Sequence, residues 1–222
     1  DESEDGGAAE AKPLPSLAIG TRNGVIKRWN REAPTTMDSW PVIDLKDGDE
    51  VVFAAVAEDD DRLVFISSDS SLLTFEAKNV RPQGRTAGGM AGIKLAEGDY
   101  VIGAARARKD AYVLSITENG YGKRTPVEEF TVHHRGGGGI MLHSLTAKTG
   151  LVAGIAVVDS ENDVMIITDD GVIIRTGVEE IRECGRGSQG VIVMRFKEEG
   201  DHVISMALAD RETEKETAPA EE

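Results

Sequence analysis

Residues 112–125 read Tyr112-Val113-Leu114-Ser115-Ile116-Thr117-Glu118-Asn119-Gly120-Tyr121-Gly122-Lys123-Arg124-Thr125. An apolar run, an Asn-Gly pair and a second extended run spell a β-hairpin, because both central residues of a two-residue hairpin turn prefer positive φ. The same phrase occurs three more times. Leu17-Ala18-Ile19-Gly20-Thr21-Arg22-Asn23-Gly24 leads into Val25-Ile26-Lys27-Arg28-Trp29, and Leu63 to Ser70 leads into Leu72-Leu73-Thr74-Phe75. Val164 to Gly171 leads into Val172-Ile173-Ile174-Arg175-Thr176. The turn residues 24, 70, 120 and 171 lie 46, 50 and 51 apart, and Gly48, Gly98, Gly150 and Gly200 keep the same period. A repeat of roughly 40–50 residues holding several strands signals a propeller-like array, whose units bury their apolar faces only against their neighbours.

Each unit reads as four strands. A third is expected at Ile93-Lys94-Leu95, Ile140-Met141-Leu142 and Val191-Ile192-Val193-Met194, and a fourth after each period glycine, as in Val51 to Val56 or Val203 to Leu208. The runs are short, rich in β-branched residues and bounded by Gly, Asp or Pro, while helical periodicity is nearly absent. The expected fold is all-β, with four four-stranded blades at about 16–61, 62–110, 111–162 and 163–209.

Composition narrows the function. The 222 residues are 40% apolar, enough for a sizeable core, and no stretch approaches a membrane span. The acidic start is no signal peptide. A single cysteine, Cys184, excludes an internal disulfide framework and fits a reducing cytoplasm. The net charge is −15. Residues 1–12 carry Asp1, Glu2, Glu4, Asp5 and Glu10 against Lys12 alone, and residues 1–15 read as a flexible linker. Residues 210–222 read as a disordered acidic tail; if it lies on a basic surface, deleting it tightens anion binding at low salt. Charge alone argues against a nucleic-acid partner.

Three loops argue the other way. Arg85-Thr86-Ala87-Gly88-Gly89, Arg135-Gly136-Gly137-Gly138-Gly139 and Arg186-Gly187-Ser188-Gln189-Gly190 recur in phase, each opened by an arginine. Glycine lets a backbone come close to a partner, and an arginine fork suits phosphate. One such loop per blade places cations at regular steps around a disc, where they hold a duplex by its phosphates without reading bases.

At these residues the chain resembles a known family. Thr117-Glu118-Asn119-Gly120-Tyr121-Gly122-Lys123-Arg124-Thr125 followed by Arg135-Gly136-Gly137-Gly138-Gly139-Ile140 resembles the repeat of the C-terminal domain of bacterial type IIA topoisomerase A subunits, DNA gyrase and topoisomerase IV. The resemblance spans residues 16–208 and implies a β-pinwheel, a disc whose blades exchange a strand. It implies a domain that is not itself catalytic and that binds and bends double-stranded DNA on a basic rim. Such a domain works in the cytoplasm, in an A2B2 enzyme that also holds the remainder of its own chain and the ATPase B subunit. ATP and Mg²⁺ belong to that whole enzyme and no cofactor to this domain. Carried over by position, the DNA-binding candidates are Lys27, Arg28, Lys123, Arg124 and Arg175 on second strands, and Arg85, Arg135 and Arg186 on the loops. The second repeat offers only Thr74-Phe75 at the strand position. The gyrase box, Gln-Arg-Arg-Gly-Gly-Lys-Gly, is not intact: His133 to Gly139 keeps Arg135, Gly136, Gly137 and Gly139 but has histidines at its first two places and Gly138 for lysine. That departure favours a topoisomerase IV-like or divergent member. The alternative is a propeller used for protein contact, with little DNA affinity.

Other chemistry finds no constellation. His133, His134 and His143 lack ligand spacing. Glu58-Asp59-Asp60-Asp61 lacks the alternation of a calcium loop and reads as a solvated turn. No P-loop and no nucleophile–base pair is present. Trp29 and Trp40 are expected to pack at the disc edge.

Overall fold

The computed structural model describes residues 15–32, 34, 36–198 and 200–209; the linker and the acidic tail read from the sequence lie mostly outside them. The first repeat holds β1 (Ser16–Thr21), β2 (Val25–Trp29) and β3 (Val51–Ala57). The second holds β4 (Arg62–Ser67), β5 (Ser71–Glu76), β6 (Pro82–Gln83), β7 (Met90–Ala91) and β8 (Val101–Ala107). The third holds β9 (Tyr112–Thr117), β10 (Tyr121–Pro126), β11 (Ile140–Met141) and β12 (Val152–Val158). The fourth holds β13 (Asp163–Thr168), β14 (Ile173–Gly177), β15 (Val191–Ile192) and β16 (Val203–Ala209). No α-helix occurs among the described residues; single 3₁₀ turns follow the second strand at Ala77–Asn79, Val127–Glu129 and Val178–Glu180. The fold is all-β.

The sheets do not coincide with the repeats. Three blades are completed by a strand from the next repeat: β7 and β6 join β3-β1-β2, β11 joins β8-β4-β5, and β15 joins β12-β9-β10. The fourth sheet, β16-β13-β14, has no such strand among the described residues. In the second repeat the exchanged strand is Met90–Ala91, not the expected Ile93–Leu95, because Ile93 is drawn into the core between blades. The exchange explains two glycines. Gly139 (φ +77°) and Gly190 (φ +69°) sit where the crossing chain meets the preceding blade, and a Cβ there would fall 2.8 Å from the Leu72 backbone and 2.5 Å from the Gly122 carbonyl oxygen. A side chain at either place would meet unyielding backbone in a conformation that L-residues rarely adopt.

The hairpin turns also differ from expectation. Gly24, Gly120 and Gly171 have positive φ but Asn23, Asn119 and Asp170 do not. Each turn instead closes through the N–H of the glycine onto a threonine carbonyl, Gly120 to Thr117 at 2.9 Å and Gly24 to Thr21 at 3.0 Å. This is the tighter turn with a terminal left-handed residue, which needs glycine at one place only. In the second repeat Ser70 takes that place at φ +68°.

Three apolar cores lie between successive blades. The first joins Ala18 and Ile26 to Phe65, Phe75 and Val101; the second joins Val64 and Leu72 to Val113, Phe130 and Leu142; the third joins Leu114 and Ile116 to Val164, Ile166 and Val203. Phe65 meets Phe75 edge to face, with centroids 5.8 Å apart. Each buried aliphatic or aromatic side chain contributes about 1.5–3 kcal/mol, and none could be buried by one blade alone. Trp29 is buried. The innermost strands share one cleft of about 400 Å³, lined by Val52, Ile102, Val152 and Ile204, one residue from each blade. The fourth blade leaves Ile173 60% exposed, with Val172, Ile204 and Leu208 also open.

Candidate nucleic-acid interface

The three glycine loops form one belt. Their order is set by hydrogen bonds from each repeat to the loop of the next: Asp44 N–H to Ala87 O (3.2 Å), Lys94 N–H to Gly137 O (2.8 Å) and Ser144 N–H to Ser188 O (3.2 Å). Gly136 N–H returns a bond to Gly92 O at 2.5 Å. The loops therefore stand side by side along the outer edge, as strand exchange requires: each is the chain's approach to the preceding blade.

The strand cations do not face outward with them. Lys27 and Lys123 are fully buried, at 0% exposure. Lys27 Nζ donates to Arg85 O (2.9 Å) and Ala87 O (2.6 Å). Lys123 Nζ donates to Gly185 O (2.8 Å), Arg186 O (2.7 Å) and Ser188 O (3.1 Å). Each ammonium thus grips from beneath the loop that completes its blade. Burial lowers the pKa of both; Asp44 opposes the shift at Lys27, and at Lys123, which falls from 10.5 to about 8, Cys184 and then Glu129 oppose it.

Residues next along the strand point to the other face. Arg28 is buried there, donating from Nε to Ser16 Oγ (2.7 Å), from Nη1 to Ala77 O (2.9 Å) and from Nη2 to Asp59 (2.7 Å). Arg124 donates from Nε to Ile181 O (2.9 Å) and lies over the Tyr112 ring at 4.7 Å. Arg28 and Arg124 so pin the 3₁₀ turn of the following repeat. Arg175 pairs with Asp163 at 2.9 Å. Asp59 belongs to the acidic run 58–61, so that run is no free turn: Asp59 holds Arg28 and Asp61 holds Arg106.

In the second blade the register pairs Phe65 with Leu73 and Val64 with Thr74. Leu73-Thr74, not Thr74-Phe75, therefore stands where Lys27-Arg28 and Lys123-Arg124 stand. Loop 133–139 lies over Leu73 with no ammonium beneath it; an added Cβ on Gly137 would touch Leu73 Cδ1 at 3.6 Å.

The loop arginines divide. Arg135 is half-buried and tied by Nε to Asn79 O (3.0 Å) and by Nη1 to Ala91 O (3.1 Å). Arg85 is half-exposed and Arg186 exposed, and neither side chain has a partner among the described residues. Four further exposed cations flank these two loops: Arg81 and Lys94 around the first, Arg182 and Arg195 around the third. Their common spacing of two repeats was the signal that a search by single repeat overlooks.

His143 is buried between blades. Its Nδ1 faces Ser115 Oγ at 3.1 Å and its Nε2 faces the Gln189 carbonyl at 2.9 Å, so Nε2 carries the proton of the neutral ring. Burial is the main cause that lowers its pKa to about 4, with nearby Lys123 adding to it against the Gln189 bond. Among the described residues no group of three or more His, Cys, Asp or Glu is placed to hold a metal ion, and no helix is long and apolar enough to cross a membrane.

Four repeats, exchanged outer strands and an outer belt of arginine-bearing loops define a strand-exchanging β-propeller domain. The chain belongs to the DNA gyrase C-terminal domain, beta-propeller family, whose profile matches residues 41–58, 61–108, 111–159 and 162–210. The GyrA protein of Staphylococcus aureus (strain NCTC 8325), the A chain of its DNA gyrase, is 37% identical over 205 residues, which cover 90% of this chain and 23% of that protein. The chain thus spans less than a quarter of that relative. Among solved structures, the C-terminal domain of DNA topoisomerase IV matches with TM-score 0.80 at 25% identity, over 92% of this chain and 64% of that one. The DNA gyrase A C-terminal domain matches with TM-score 0.74 at 25% identity, over 90% and 68%.

Proposed function

We propose that this domain binds and bends double-stranded DNA on its loop belt, without reading sequence, as a non-catalytic part of a type IIA topoisomerase A subunit. The observation that carries the reading is the belt itself: three loops from successive repeats, side by side, with an arginine at the same place in each. Arg85 and Arg186 are the foremost contacts, with Arg81, Lys94, Arg182 and Arg195 beside them. Lys27, Lys123, Arg28 and Arg124 shape the belt from within. Departures from the gyrase box within His133–Gly139 favour bending of the topoisomerase IV kind over a tight wrap. In the whole enzyme the domain presents a DNA segment to the cleavage core, in the cytoplasm, while ATP and Mg²⁺ are handled elsewhere in the A2B2 assembly.

The test is fluorescence anisotropy with a duplex of about 40 base pairs, titrated with salt. Submicromolar binding at low salt that falls steeply with added salt is the expected result, because phosphate contacts release counterions. Absence of binding at low salt would favour the second reading, a protein-docking module, for which the exposed apolar residues Val172, Ile173 and Leu208 of the fourth blade speak.

A further inference from the structure

The buried lysines do more than hold loops in place; they determine which way the loop amides face. In a trans peptide the N–H points opposite to the C=O of the same unit, and the chain has no cis peptide. Lys123 draws the carbonyls of Gly185, Arg186 and Ser188 inward. The N–H groups of Arg186, Gly187 and Gln189 are thereby turned away from the ammonium. Arg186 N–H is taken by Glu129 Oε2 at 3.1 Å. Those of Gly187 and Gln189 have no acceptor among the described residues, and both residues are exposed. The space above Gly187 is open, with nothing within 4 Å of where a Cβ would stand. Lys27 does the same in the first loop: with the Arg85 and Ala87 carbonyls drawn inward, the N–H groups of Thr86 and Gly88 turn out. That loop is narrower, since a Cβ on Gly88 would fall 3.0 Å from the Asp44 carbonyl.

Outward amides on a glycine loop, backed by a fixed positive charge and flanked by an unpaired guanidinium, make an anion-binding concavity. Loop 133–139 is built differently: Leu73 replaces the lysine beneath it and Arg135 is spent on backbone carbonyls.

We propose that Gly187 N–H, Gln189 N–H and Arg186 form a backbone-phosphate seat positioned by Lys123, that Thr86 N–H, Gly88 N–H and Arg85 form its counterpart positioned by Lys27, and that the loop between them has none. The ligand is a phosphodiester of duplex DNA, and the inference rests on the DNA-binding reading above. Phosphates are then gripped at every second blade. Lys27 and Lys123 are positioning residues and touch no DNA.

The test follows backbone amide resonances of the full chain while a duplex of about 20 base pairs is added at low salt. The Gly187, Gln189, Thr86 and Gly88 amides are expected to move downfield, well beyond those of Gly136, Gly137 and Gly138. Lys123→Met keeps the bulk and removes the ammonium; it is expected to weaken duplex binding roughly tenfold and to abolish the Gly187 and Gln189 shifts. In Lys123→Met, Arg186→Ala is expected to cost less than in the unaltered chain, a coupling that a purely structural lysine would not produce. If the unaltered chain binds duplex, Arg186→Ala weakens it and yet the Gly187 and Gln189 amides stay still, the seat is overturned while the DNA-binding reading stands. If the unaltered chain does not bind duplex at all, both fail. If Lys123→Met does not fold, the amide shifts of the unaltered chain decide.

Discussion

Ser70 and His143 are joined by a reciprocal pair of hydrogen bonds across 73 residues: Ser70 Oγ donates to the His143 carbonyl at 3.2 Å and accepts from the His143 N–H at 2.9 Å. The pair explains why a serine with φ +68° occupies a place that is glycine in the other three repeats. A left-handed serine costs roughly 1–2 kcal/mol, and two buried hydrogen bonds tying the second blade to the incoming third repeat offset it. Ser70→Ala keeps the strain and loses both bonds, so it is expected to destabilise the domain by about 2 kcal/mol. Ser70→Gly removes the strain as well and is expected to cost less. Urea unfolding of the two variants checks the order; an Ala variant more stable than the Gly variant would contradict it.

His143 makes the fold sensitive to acid. The folded ring resists protonation down to about pH 4, whereas an unfolded histidine protonates near pH 6.5. Between these values the unfolded chain binds the extra proton, so stability is full above pH 6.5 and falls as the pH drops toward 4. The loss from this residue is on the order of 3 kcal/mol. His143→Gln is expected to show a shallower decline between pH 7 and pH 4.5. Chemical denaturation of both proteins at the two pH values measures the difference.

Neighbouring glycines of one loop differ sharply in what they tolerate. Gly138 has nothing within 4 Å of a would-be Cβ and no positive φ, while Gly139 has both the positive φ and the Leu72 backbone at 2.8 Å. Gly138→Ala is expected to leave the melting temperature within about a degree. Gly139→Ala is expected to cost more than about 2 kcal/mol by displacing the exchanged strand β11 from the second blade. Paired melts of the two variants test this without reference to any ligand.

The period, the hairpins and the exchange loops were legible because each has a local chemical sign: Asn-Gly turns, β-branched runs, in-phase glycines. The direction of the lysines was not, because it depends on register. Lys123 and Arg124 are adjacent and so face opposite sides of the sheet, and a one-residue slip in the second repeat hid what occupies the same column. With the register fixed, Lys123 aligns with Leu73 and Ile174. A position that is leucine in one repeat and isoleucine in another is a core position, and a lysine there has to be satisfied from inside. The exchanged strand of the second repeat was misplaced for a related reason: Ile93 is more apolar than Met90, but it serves the core between blades, while Met90 and Ala91 pair with β2.

The two classes of arginine separate by what their removal changes. Arg186→Ala and Arg85→Ala take away side chains with no partner among the described residues. Each is expected to lower duplex affinity several-fold and to reduce the slope of log affinity against log salt by about one, with the melting temperature unchanged. Arg28→Met, by contrast, strips donors from Ser16, Ala77 O and Asp59 in the interior. It is expected to cost roughly 2–4 kcal/mol of stability and to leave the salt slope of the folded fraction as it was. Measuring melting temperature and salt slope for all three variants places each on one axis or the other. A change of salt slope in Arg28→Met at unchanged stability would show that the inner arginines reach the phosphates after all.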